Sequence, residues 1–312
     1  MRAARPAPFP DRLAALVESR RSQIVLGLDP DPARLWPGAV DRGGRSVESG
    51  DAAALTAAAV EVHCRLAIEA AASACVAVKP QSACFERLGA PGWSALAAVM
   101  RHASAAGLLV LVDAKRGDVP ITARAYAQAL VGETDGPYGP VQGLGADAFT
   151  VNPLFGRDGL DPFVAAANAA GAGCFCLVRT SNPGAAEVQD APGRSGPLHE
   201  ALARLVDEVG AEHVAACGLS SVGAVTAATR PDLLARLREL MPQTIFLLPG
   251  VGAQGGSIDA LEPAFGRHPA AAIVAASRSI VDAHRERGGD PAAAAAAAAE
   301  ELRARAWKRA AG

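Results

Sequence analysis

The sequence predicts an α/β fold, a (β/α)8 TIM barrel with an extra C-terminal helix. Eight short apolar runs recur along the 312 residues. Helical patterns separate them, and strands alternating with helices imply a parallel sheet. Each run is apolar throughout, as strands covered on both faces require. Eight such units suggest a closed barrel. An open doubly wound sheet would carry a glycine-rich fingerprint after its first strand, and none stands there. Residues 1–312 are therefore read as a single barrel domain.

The first run is QIVLGLD, 23–29. Residues 31–50, rich in Pro, Gly and charge, predict a loop after it. An Ala/Leu-rich helix, Ala53–Ala71, leads to CVAVKP, 75–80. A helix over Ser94–Ala105, carrying LAAVM, leads to LLVLVDA, 108–114. The fourth and fifth runs are ADAFTVN, 146–152, and GCFCLVRT, 173–180. LHEALARLVDEV, Leu198–Val209, reads as a helix before SVGAVTA, 221–227. PDLLARLREL, Pro231–Leu240, opens on a proline suited to a first helical turn. TIFLLPG, 244–250, and AAIVAAS, 271–277, complete the set. Asp290-Pro291, then Ala292–Ala299 and EELRARAWKRAAG, predict a capped, peripheral, alanine-rich helix at about 290–310. Its Arg303, Arg305, Lys308 and Arg309 lie where the helix dipole favours cations.

Half the residues are hydrophobic but only 4% aromatic, so Ala, Val, Leu and Ile must pack the core. A net charge of −2 argues against a nucleic-acid partner, yet leaves a small anionic substrate open. MRAARPAPFPDR has no apolar segment of the secretory kind, and no run of ~18 uncharged apolar residues follows. The expectation is a cytoplasmic protein with no membrane partner. The six cysteines form no CxxC pair and no zinc-finger spacing. They are expected as buried thiols in a reducing compartment.

In such a barrel, chemistry collects where strands end. The first run ends in Asp29, the second in Lys79, and the third in Asp113 and Lys115, followed by Asp118. Alternation along a strand sends Asp113 and Lys115 to the same side. If that side is the interior, a carboxylate and an ammonium share the barrel mouth with Lys79. The fifth run leads into Arg179, Thr180, Ser181 and Asn182. The fourth and sixth offer only Asn152 and Thr226. PGVGAQGG, 249–256, suggests a phosphate cradle that includes Gly252, because glycine lets backbone N–H groups approach an anion closely. Arg278, just past the eighth run, can fork onto phosphate oxygens.

Here the residues carry a resemblance. DAKRGD resembles the D-x-K-x-x-D signature of orotidine 5′-phosphate decarboxylases. LGLDP (26–30), VKPQSACFE (78–86), VRTSNPGA (178–185), VGAVTAATRPDLLARLRELMP (222–242) and FLLPGVGAQGG (246–256) are similar to the longer bacterial branch of that family. The resemblance spans about residues 9–285; the tail beyond has no clear counterpart, and 135–146 and 186–197 match loosely.

The resemblance implies a homodimeric barrel that converts orotidine 5′-monophosphate to uridine 5′-monophosphate and CO2, with no metal and no organic cofactor. It implies a charged network of Lys79, Asp113, Lys115 and Asp118, with Lys115 as proton donor and Lys79 between the two aspartates. Asp118, with Ile121 and Thr122, would reach into the partner's site. Asp29 would contact the ribose, Ser181 the pyrimidine, and Gln254 and Arg278 the phosphate. The loop 186–197 would help cover the ligand. Three rivals remain at this stage: a Mg²⁺-dependent sugar-phosphate decarboxylase or synthase, a Schiff-base aldolase, and a nucleotide-binding protein without catalysis.

Overall fold

Eight parallel strands form in the computed structural model, one on each predicted run. The structure describes residues 6–45, 51–194, 196–252, 255–266 and 268–310. The barrel strands are β1 (Ile24–Leu28), β2 (Ala77–Pro80), β3 (Leu109–Arg116) and β4 (Ala148–Val151). They continue with β5 (Gly173–Arg179), β6 (Ser220–Thr226), β7 (Thr244–Pro249) and β8 (Ala272–Ala276). They lie in chain order, and β1 pairs with both β2 and β8, so the sheet is closed. Val25, Leu111, Ala148, Phe175 and Ile273 pack together inside the barrel. Leu26, Val110, Phe149, Cys174 and Val274 face the surrounding helices. Two covered faces explain why the runs do not alternate in polarity.

A helix that the run pattern did not predict, Phe9–Arg20, closes the amino-terminal end of the barrel. Phe9, Leu13 and Val17 recur every fourth residue and are buried on one face. The Phe9 ring meets Phe175 edge-on, with centroids 5.8 Å apart. Arg12 pairs with Asp147 just before β4. This end is thereby filled, and any site must lie at the other.

The expected loop after β1 is partly helical, over Pro32–Arg34 and Pro37–Arg45. Residues 46–50 of that reading lie outside the described residues. One of the glycines that suggested a loop, Gly43, has a packing reason. A Cβ at Gly43 would stand 2.5 Å from the Ala59 Cα, so only glycine allows this approach to the helix Ala52–Ala71.

The same segment is anchored through Trp36. Its backbone N–H donates to His63 Nδ1 at 3.1 Å and its indole N–H to the Val281 carbonyl at 3.0 Å. Burial pushes the His63 pKa down to about 4, outweighing the nearby Asp282 carboxylate. The unfolded chain, with a His pKa of ~6.5, takes up this proton first. The stability His63 contributes is therefore present above pH ~6.5 and lost as pH falls toward 4. Thermal melts between about pH 7 and pH 5 should show Tm falling in the wild type. His63→Asn keeps an acceptor for Trp36 but no longer titrates, so it should flatten that decline; an unchanged slope would refute the assignment.

The C-terminal helix runs over Pro291–Ala310. Asp290 Oδ1 caps it, accepting the Ala293 N–H at 2.8 Å. Ala295, Ala299 and Ala306 are buried in the outer core. The last turn is tied down by Asp259, which pairs with Arg305 at 2.9 Å and Arg309 at 3.0 Å. All six cysteines are free; Cys84 and Cys217 are only partly buried, the other four fully. Among the described residues, no helix is long and apolar enough to cross a membrane.

Candidate active site

A cavity of about 380 Å³ opens at the carboxyl ends of the strands. Asp29, Lys79, Gln81, Asp113 and Lys115 line one side. Thr180, Ser181, Asn182 and Arg278 line the other, over an apolar floor that includes Leu177, Val225 and Leu247. β1, β2 and β3 are neighbours in the sheet, so their terminal charges converge.

Asp113 is the centre of this array. Its Oδ2 accepts from Lys79 Nζ at 2.7 Å and Gln81 Nε2 at 3.2 Å. Its Oδ1 accepts from Lys115 Nζ at 2.5 Å and Thr150 Oγ1 at 2.9 Å. Burial alone would raise the carboxyl pKa. The two ammonium groups and their hydrogen bonds outweigh it and hold Asp113 well below the ordinary carboxylate range. Burial likewise acts to lower the Lys79 pKa, but Asp113 and Asp29 raise it above the ordinary value. Both shifts favour the charged forms, so the pair stays ionised through the neutral range.

Asp113 and Lys115 both reach the cavity, though not through regular alternation. Val112 pairs with Phe149 and Arg116 with Val151, so residues 113–115 bulge opposite a single residue, Thr150. Lys115 takes a left-handed backbone, with φ 48°. Bulges re-aim side chains in this way. The glycine in DAKRGD has its own cause: a Cβ at Gly117 would lie 2.8 Å from the Asn152 carbonyl oxygen.

The structure thus brings together Asp29, Lys79, Asp113, Lys115, Ser181 and Arg278. Among the described residues, the Arg278 guanidinium has no carboxylate partner. Asp118, Ile121 and Thr122 do not line the cavity of their own chain. Asp118 Oδ1 instead accepts the N–H of its neighbour Val119 at 2.8 Å. Within one chain, then, Lys79 stands between Asp113 and Asp29, whose Oδ1 is 3.8 Å from Nζ, and not between Asp113 and Asp118. Gly252 lies outside this lining, and its N–H donates to the Gly256 carbonyl within the turn. Gln254 lies outside the described residues.

Arg179 is buried and turned from the cavity into an ion pair with Asp190, at 2.9 and 3.0 Å. His199 Nδ1 and Arg230 also reach Asp190, at 3.1 and 3.2 Å. Gln189 holds Thr180 by side chain and backbone. The loop 186–197 is thereby pinned beside Thr180 and Ser181, and none of its described residues lines the cavity. Sequence reasoning missed Gln81 and Thr150 as members of the site. The one polar residue of the strand AFTV, two places beyond the inward Ala148, was the available signal for Thr150.

A parallel barrel with an ammonium–carboxylate–ammonium array at its carboxyl end defines a barrel enzyme for a small anionic substrate. A model of the orotidine 5′-phosphate decarboxylase / HUMPS family matches residues 22–298, and the chain belongs to that family. The match continues into the C-terminal helix, past the point where the sequence resemblance ended. The chain is 40% identical over 277 residues to orotidine 5′-phosphate decarboxylase of Rhodopirellula baltica, covering 89% of each. It is 41% identical over 262 residues to that of Deinococcus radiodurans, covering 84% of this chain and 85% of the relative. The solved structure of Leishmania donovani OMP decarboxylase superposes with a TM-score of 0.68 at 32% identity, covering 96% of this chain and 98% of that one.

Proposed function

We propose that this chain decarboxylates orotidine 5′-monophosphate to uridine 5′-monophosphate and CO2 in pyrimidine biosynthesis, as a cytoplasmic homodimer with shared active sites. It acts as a carbon–carbon lyase and needs no metal or organic cofactor. The relatives' names support the activity. The observation that carries the reading is the Lys79–Asp113–Lys115 array.

The chemistry follows from that array. The bond from C6 to the carboxylate breaks, and its electron pair stays on C6 as an sp² carbanion with little resonance relief. The Lys115 ammonium faces that charge, stabilises it and passes its proton to C6. Solvent then reprotonates the amine. Asp113 keeps Lys115 aimed, and Lys79 offsets the carboxylate charge around it. Asp29 contacts the ribose, Ser181 the pyrimidine, and Arg278 the phosphate, with Gln254 and the Gly252 turn beside it.

The Mg²⁺-dependent rival wants a carboxylate metal ligand at the end of β2, where this chain has Lys79. A Schiff-base lysine needs a lowered pKa, whereas Asp113 and Asp29 raise that of Lys79. The shared site is supported by the exposed apolar side chains around Asp118: Val119, Ile121, Leu154 and Phe155. Phe155 packs at Gly117 and Gly159, beside the Asp118 backbone.

A spectrophotometric assay with orotidine 5′-monophosphate in the presence of a chelator tests the reading. Full turnover supports it. Turnover that chelation abolishes favours the metal-dependent rival, and binding of a uridine 5′-phosphate analogue without turnover favours a protein that only binds. Phosphate binding energy, though distant from C6, lowers the barrier by ordering loops and excluding water. Arg278→Ala should raise KM and lower kcat/KM by roughly 2–4 kcal/mol. An unchanged kcat/KM would remove Arg278 from the phosphate site.

A further inference from the structure

The bulge in β3 raises a problem that one side chain solves. Residues 113–115 face only Thr150, so the Lys115 N–H has no regular ladder acceptor. A backbone donor left without its ladder acceptor and turned against a buried strand needs another partner. The Thr150 hydroxyl accepts that N–H at 2.9 Å and donates its own proton to Asp113 Oδ1 at 2.9 Å. Thr150 is wholly buried and does not line the cavity, so it touches no substrate.

We propose that Thr150 is a positioning residue for decarboxylation, joining the left-handed Lys115 backbone to the carboxylate that aims the Lys115 ammonium. This rests on the reading of Lys115 as proton donor. A hydroxyl has one proton to give, and here Asp113 receives it. Its lone pairs are left for the Lys115 N–H, so the two bonds have a fixed direction. The β-branched side chain is stiff at χ1, which keeps the oxygen between its two partners. One atom thus fixes both where the lysine backbone turns and where its counter-ion lies. A loss here would move the ammonium relative to C6 while leaving the phosphate and ribose contacts in place.

Thr150→Val keeps the volume and branching but removes the oxygen. It should lower kcat ~10- to 100-fold, the scale of a misplacement near 1 Å, with KM changed less than about 3-fold. Thr150→Ser keeps the hydroxyl and should retain kcat within about 5-fold of the wild type. Melting temperatures of all three proteins accompany the kinetics. If Val fails to fold, the Ser variant decides: kcat retained with an altered melting temperature supports the role. A Val variant with wild-type kcat would overturn the proposal. So would a Ser variant that is folded yet as slow as Val, because packing of the methyl would then be the cause. Wild-type protein that does not turn over the substrate would instead overturn the functional reading itself.

Discussion

Lys115→Ala is expected to lower kcat by ~10⁴-fold or more, because in the proposed mechanism its ammonium would serve both as general acid and as the charge opposite the carbanion. The fold should tolerate the change. The Lys115 side chain is 42% exposed, and Asp113 keeps Lys79, Gln81 and Thr150 as donors. KM should therefore change little, since the residues proposed to contact ribose and phosphate lie elsewhere in the cavity. That pattern, kcat lost with KM kept, marks an interaction made in the transition state. Single-turnover kinetics beside a melting curve would check it. Near-normal turnover would eliminate Lys115 as donor and direct attention to Lys79. Yet Lys79 is held between Asp113 and Asp29 and its side chain is only 9% exposed, so it has little freedom to follow a reacting carbon.

The barrel was legible because its cause is local. Each strand is an apolar run long enough to cross the sheet once, and two buried faces leave no alternation to confuse the reading. The terminal charges were legible for the same reason: Asp29, Lys79, Asp113 and Lys115 break the apolar runs at their carboxyl ends. What stayed hidden depends on contacts far apart in sequence. The helix Phe9–Arg20 is defined by what it fills, the amino-terminal end of the barrel against Phe175. Pro37–Arg45 looks like a loop by composition, and only Ala59 explains Gly43. Thr150 sits mid-strand, and its role exists only because β3 bulges opposite it. Arg179 ends its strand as a ligand-binding arginine would. Asp190, eleven residues on, turns it into a brace.

Asp118→Ala is expected to lower kcat/KM by ~10²-fold or more, although Asp118 does not line the cavity of its own chain. The loss follows only if its carboxylate completes a neighbouring subunit's site, and mixing tests that directly. A two-fold interface is self-complementary, so in the proposed dimer each chain would lend its Asp118 to the other's Lys115. Lys115→Ala and Asp118→Ala proteins should each be nearly inactive alone. In a mixed dimer, one site joins an intact Lys115 to an intact Asp118, and the other holds both defects. Random re-pairing would leave about a quarter of all sites whole, so activity should return toward that fraction after subunit exchange. Exposed Val119 and Ile121, which follow Asp118 in the chain, should become protected in the proposed dimer. If exchange is shown by sedimentation or mass spectrometry while activity stays at the level of the separate variants, Asp118 does not act across the interface. A monomeric enzyme with full activity would refute the shared site outright.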